Sequence, residues 1–189
     1  MSARVLIRCA PEFACAGKLA RRLDRLLQRL PGLCVLAPED PQGVIAGYAQ
    51  ARGLSLETQA ASPTHVVLVG DAAWLATVDA SAWAGLPLRR VHVPITRVVN
   101  VDREQRADVV YIGRGTPWGN PYALGQDGDR EEVIRKFRYD FERDLLRDGA
   151  RFKQRLRALQ GKRLGCHCKP AACHGDVLAE YLNAWDDGG

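Results

Sequence analysis

No apolar run in this sequence approaches the roughly 20 residues that a helix needs to cross a bilayer, which excludes a helical membrane protein. The first residues, "MSARVLIRCAPEF", hold one apolar run too short for the h-region of a signal peptide, so a cytoplasmic location is expected. Heptads, internal repeats and low-complexity blocks are missing too, which excludes coiled-coil, solenoid and disordered-linker architectures. No large excess of one charge sign is present. A formal charge of +5 permits contact with nucleic acid or nucleotides without demanding it. Disulfides are disfavoured in the expected compartment, because glutathione keeps cytosolic thiols reduced.

What remains is an ordinary globular mixture of apolar and charged residues, long enough for one generous domain or two small ones. "RVLIRC" reads as a first strand, and "AGKLARRLDRLLQRL" follows it with leucines at helical spacing. "GLCVLA", "LSLET" and "THVVLVGD" read as further strands, with helices at "PQGVIAGYAQARG" and "AAWLATV". Apolar strands with helices between them argue for an α/β fold with a mostly parallel, Rossmann-like sheet. Asp71, at the carboxyl end of a strand, stands where such sheets place ligand contacts, and it is equally suited to cap the next helix. "GLPLRRVHVPIT", with its two prolines, reads as a linker, which predicts a first domain over 1–93 and a second over 95–186. The second half is also read as α/β. It offers "TRVVNV" and "ADVVYIGRG", a helix capped by Asp129 and Glu132 with Val133, Phe137, Phe141 and Leu145 four apart, the strand "KRLGCHC", and a last helix in "CHGDVLAEYLNAW".

Three of six cysteines and two of four histidines fall within residues 166 to 174. In an extended strand Cys166 and Cys168 share a face, roughly 6.5 Å apart, whereas a disulfide needs Cβ atoms about 3.8 Å apart. Cys173 and His174 fall at the start of the last helix, where the positive end of the helix dipole lowers a thiol pKa. That suits a nucleophilic cysteine, with a charged histidine and Lys169 nearby. The alternative set Cys166, Cys168, Cys173 and His174 matches a zinc site in composition. It lacks the usual C-x₂-C knuckles, and adjacent residues on a helix diverge by roughly 100°. Small buried cysteines packing a core are the third reading.

"YIGRGTPWGNPY" is the other dense stretch. Its glycines, prolines and aromatics lie on a connection, where aromatic area is spent to line a ligand site. Arg114 suits a phosphate or carboxylate and Trp118 a stacked base; the alternative is that Trp118 plugs the fold and Arg114 pairs with an acid.

The blocks "VVYIGRGTPWGNPY", "REEVIRKFRYDF" and "LQGKRLGCHCKPAACHGDVLAEYLN" together resemble the bacterial and phage family called domain of unknown function 4326, over about residues 95 to 186. The resemblance implies that Arg114, Trp118, Gly119, Asn120, Pro121, Arg130, Cys166, Cys168, Cys173, His174 and Asp176 form one site. "GVIAGYAQARGLSLE" and "ASPTHVVLVGD" resemble the SLOG superfamily of Rossmann-like nucleotide-binding domains, without its glycine-rich phosphate loop. Three functions follow as expectations. One is an enzyme cleaving a glycosidic bond or transferring a group on a nucleotide, nucleoside or nucleic acid. It would use Cys173, His174, Asp176 and Cys168 as catalytic groups, with Arg114, Trp118, Gly119, Asn120, Arg130 and Asp71 holding substrate. The others are a non-catalytic module binding zinc and nucleic acid, and a nucleotide sensor. All the site readings require the Arg114–Tyr122 loop to meet the sulfur-rich turn in one pocket.

Overall fold

The computed structural model describes residues 2–59, 61–103 and 106–188. The protein divides into two compact units, Met1–Pro94 with Ala184–Gly189, and Ile95–Asn183. Each is α/β. Among the described residues no helix is long and apolar enough to cross a membrane.

The first unit is a five-stranded, wholly parallel sheet in the order β3-β2-β1-β4-β5, formed by β1 (Arg4–Cys9), β2 (Cys34–Leu36), β3 (Ser55–Glu57), β4 (His65–Gly70) and β5 (Leu88–His92). Val5 and Ile7 of β1 and Val66 to Val69 of β4 are almost wholly buried, as expected of central parallel strands covered on both faces. Helix α1 (Ala16–Leu27) buries Leu19, Leu23 and Leu27, spaced four apart. Helix α2 (Val44–Ala51) is capped from outside: the Asp40 carboxylate accepts from the Ile45 and Ala46 N–H groups at 3.1 and 2.8 Å.

Residues Leu88–His92, expected to be linker, form the edge strand β5; Pro87 and Pro94 stand just outside it, where a missing N–H breaks no ladder bond. Asp71 is the N-cap of α3 (Ala72–Thr77), its Oδ1 accepting from the Trp74 N–H at 3.0 Å. Residues 184 to 186, expected in the second domain, cluster with the first unit. There Arg21 grips Asp186 with both terminal nitrogens, at 2.6 and 2.9 Å, and the buried Lys18 meets Asp187 at 2.7 Å.

The second unit holds three parallel strands in the order β6-β8-β7: β6 (Arg97–Asn100), β7 (Val109–Tyr111) and β8 (Arg163–Cys166). Around them lie α4 (Arg130–Glu142), α5 (Ala150–Leu156) and α6 (His174–Ala184). Asp129 caps α4, accepting from the Glu132 N–H at 2.9 Å, and the helix buries Val133, Phe137 and Phe141. Leu145, expected as the fourth member of that row, lies beyond the helix end and is exposed; the chain has already left the helix, with Asp144 at φ 57°. The core gathers Ile112, Phe137, Phe141, Phe152, Leu156, Leu164 and Leu178, with Cys166 and Cys173 among them.

Thr96, at the entry to β6, is almost wholly buried, and its two backbone groups are both answered by Asn183 near the end of α6. The Thr96 N–H donates to Asn183 Oδ1 at 2.7 Å, and Asn183 Nδ2 donates to the Thr96 carbonyl at 2.9 Å. Replacing Asn183 with Ala strands both groups in a dry site. The expected outcome is a loss of about 2–4 kcal/mol in unfolding free energy, read by urea denaturation of the full chain.

Candidate functional site

Parallel strands deliver their connections to one edge, and it is at the carboxyl ends of β7 and β8 that the second unit assembles its chemistry. Strand β8 stops at Cys166, and the chain turns at His167 instead of running on to Cys168 as expected. Asn100, at the end of β6, holds that turn by donating from Nδ2 to the carbonyls of His167 and Lys169, at 3.3 and 2.5 Å. The turn returns the chain to the sheet edge, where α6 begins with His174.

Cys173 stands immediately before α6, outside the helix, so the divergence expected of two adjacent helical residues does not apply. Its sulfur, that of Cys166 and a ring nitrogen of His174 all lie within 4.8 Å of one another. The Cys173 thiol is held below its ordinary pKa, chiefly by a hydrogen bond from the Cys166 thiol and also by the Gly175 N–H at the helix start; burial opposes both. Cys166 is pushed up, first because it donates to Cys173 and then by burial. The two shifts run in opposite directions, so Cys173 gives up its proton at a lower pH than Cys166. Gly175 makes this approach feasible. A Cβ there would stand 2.6 Å from Ile112 Cδ1, 3.0 Å from Val98 Cγ1 and 3.3 Å from the Cys173 sulfur.

The remaining expected residues sort by position. Asp176 accepts from the Cys173 N–H at 2.9 Å and pairs with Lys169 at 2.5 Å, so this carboxylate braces the turn. Cys168 is raised by burial, against a lowering hydrogen bond from Arg130. Arg130 also donates to the Ala172 carbonyl at 3.2 Å. His174 is buried edge-on to Phe137, and its Nε2 lies 3.0 Å from the Ile112 carbonyl. Burial lowers its pKa, against the backbone hydrogen bonds to Ile112 and Trp118. Burial thus disfavours the charged ring, and the Nε2 contact tethers it to the loop backbone.

The loop after β7 winds tightly on itself. Thr116 Oγ1 donates to the Gly113 carbonyl at 2.8 Å, and Gly119 packs so closely that a Cβ would stand 2.8 Å from that same oxygen. Asn120 accepts from the Tyr122 N–H at 2.9 Å and donates to the Val133 carbonyl of α4 at 3.1 Å. Trp118 is not presented for stacking. It packs edge-on against Phe152 at 5.3 Å, with the Arg155 guanidinium 5.6 Å from its ring, and so plugs the fold.

Loop and sulfur turn do meet. Arg114, Asn120 and Tyr122 from the loop, Arg130 from α4, and Cys166, Cys168, Cys173 and His174 line one pocket of about 310 Å³. Gly119 and Trp118 do not line it, and Asp71 belongs to the other unit. The sequence reading gave no role to Tyr111 and His167, ring partners at 5.5 Å on the same rim, His167 lying 2.7 Å from Asp102. It also missed Val133 and Ile134. These two follow Arg130 by three and four positions on α4, a helical spacing that would have revealed them.

Residues 2–99 match the model of the minimal SLOG domain, and residues 97–184 match that of domain of unknown function 4326. The chain belongs to both families, one in each half. An uncharacterised 12.4 kDa protein of Enterobacteria phage T4, from the nrdA-td intergenic region, is 43% identical over 91 residues, covering 47% of this chain and 82% of that protein. No solved structure is significantly similar to the chain. SLOG domains are associated with nucleotide-related ligands. The sulfur pocket lies wholly in the domain of unknown function 4326.

A thiol with a depressed pKa forms its thiolate at lower pH than its neighbours, so its alkylation rate rises with pH through that lower value. Cys9, which burial and then Asp40 push up to about 12, stays protonated across the neutral range. With iodoacetamide near neutral pH, peptide mass spectrometry is expected to show Cys173 labelled before Cys9, Cys166 and Cys168. Cys166→Ala removes the thiol donor and shifts the Cys173 profile to higher pH.

Proposed function

We propose that the second unit is a thiol-dependent enzyme acting on a nucleotide-like substrate, with Cys173 as the nucleophile. The observation that carries this is the Cys173 sulfur at the start of α6, accepting hydrogen bonds from the Cys166 thiol and the Gly175 N–H while it borders a pocket lined by Arg114 and Arg130. A thiolate offered to an electrophilic carbon donates its electron pair to a new S–C bond. The leaving group departs with the pair from the broken bond, and water or an acceptor then releases the sulfur. This fits glycosidic-bond cleavage or group transfer. Cys166 is the hydrogen-bond donor that steadies the thiolate, and His174 is a positioning residue that ties the loop to α6. Arg130 and Arg114 offer charge to an anionic substrate, and Asn120 fixes the loop they stand on.

A second reading rests on the grouping of Cys166, Cys173 and His174, whose ligand atoms are close enough together to hold a soft divalent ion such as zinc. Against it stands the His174 ring, already engaged with the backbone of Ile112 and Trp118.

Two measurements decide between them. Incubated with a panel of nucleosides and nucleotides, the wild-type chain is expected to release product, and Cys173→Ser to lose at least about 100-fold in turnover while keeping its circular dichroism spectrum. Elemental analysis is expected to find no stoichiometric metal. One zinc per chain, lost in Cys166→Ser, would replace the thiol reading with the metal-binding one.

A further inference from the structure

The loop from Gly113 to Ala123 has a second side. Across it from the sulfur pocket lies a larger groove of about 930 Å³, bounded by Arg114, Arg147 and Arg155, with Phe152 and Leu146 among its apolar lining. Arg114, Asn120 and Tyr122 line both spaces, so the two adjoin along the loop.

The groove's lining carries three arginines against the carboxylates of Asp140 and Asp148, a positive balance. Asp148 is taken by Arg155 at 2.8 Å, and the Asp140 carboxylate accepts the Tyr122 hydroxyl at 2.5 Å. Arg114 reaches only the Tyr122 carbonyl, at 3.5 Å, and among the described residues Arg147 has neither an ion-pair nor a hydrogen-bond partner. Elsewhere in the unit Arg135 is answered by Glu132 and Arg138 by Glu180. Two guanidinium groups without a carboxylate partner on one concave wall form an anion-attracting surface, and the guanidinium fork fits phosphate oxygens. Trp118 lines neither space.

We propose that this groove binds the phosphate-bearing part of the substrate whose reacting part stands against Cys173. The substrate class is then a phosphorylated nucleoside and not a bare nucleoside. Its phosphate belongs either to a free nucleotide or to a unit within a single strand. The assignment rests on the thiol reading for the identity of the reacting end, and on the groove alone for the anion. Arg147, one of the run of basic residues 135 to 157, is the residue it adds to the site.

The test uses the full chain and direct binding, which does not depend on turnover. Nucleosides, the corresponding nucleoside monophosphates, inorganic phosphate and a short fluorescein-labelled single strand are titrated against wild type, Arg147→Gln and Arg114→Gln. Monophosphates are expected to bind more tightly than their nucleosides. The exposed Arg147→Gln change is expected to weaken them about tenfold, as loss of one charged hydrogen-bonding partner does. Affinity falls as salt rises. A strand binding more tightly than the monophosphates assigns the phosphate to nucleic acid; the reverse assigns it to a free nucleotide. Equal affinity for nucleosides and monophosphates, or affinities indifferent to both arginine changes, overturns the proposal. If the arginine effects hold while Cys173 proves inert to alkylation, the thiol reading falls and the anion groove stands.

Discussion

The Cys173 sulfur accepts from the Gly175 N–H of α6 and from the thiol of Cys166, and most of the second unit is arranged so that this contact can form. Strand β8 must end at Cys166 to leave that thiol at the sheet edge, and the turn held by Asn100 must bring the chain back within a few residues. Gly175 must lack a side chain so that the helix start can press against Ile112 and Val98. Asp176 and Lys169 then fix the turn from the solvent side. A buried sulfur would ordinarily hold its proton because desolvation disfavours the charge. Here oriented donors outweigh that cost at Cys173, and the neighbouring cysteine takes the opposite shift.

The histidine beside it does different work from what its reputation as a titrating group suggests. A ring buried against Phe137 and bonded to a carbonyl at the end of β7 is a staple between helix and loop. It holds the loop backbone against α6, and with it the placement of Arg114, Asn120 and Tyr122. The same loop thereby separates an apolar, sulfur-lined pocket from a wider, charged groove, an arrangement suited to a ligand with one reactive end and one anionic end.

The first unit shows how side chains can occupy the places that a parallel sheet makes available. The N-termini of α2 and α3 are capped by Asp40 and Asp71, and the basic residues Lys18 and Arg21 of α1 are met by Asp187 and Asp186. Each of these carboxylates serves its own chain, which accords with the lack of a glycine-rich phosphate loop.

Much was legible in the sequence because it is local. Apolar runs and helical spacing determined the α/β class, Asp129 announced the start of α4, and the density of cysteine and histidine marked residues 166 to 174. The strand Leu88–His92 was hidden because its prolines punctuate it from outside and its residues are half exposed at a sheet edge. The roles within the site were hidden for a different reason. Whether His174 carries protons or binds a carbonyl, whether Trp118 stacks on a ligand or on Phe152, and which cysteine keeps the proton depend on partners tens of residues away. Residue type and spacing specify what a side chain is able to do, but the field, burial and hydrogen-bond partners that select one option exist only after β7, β8 and α6 have come together.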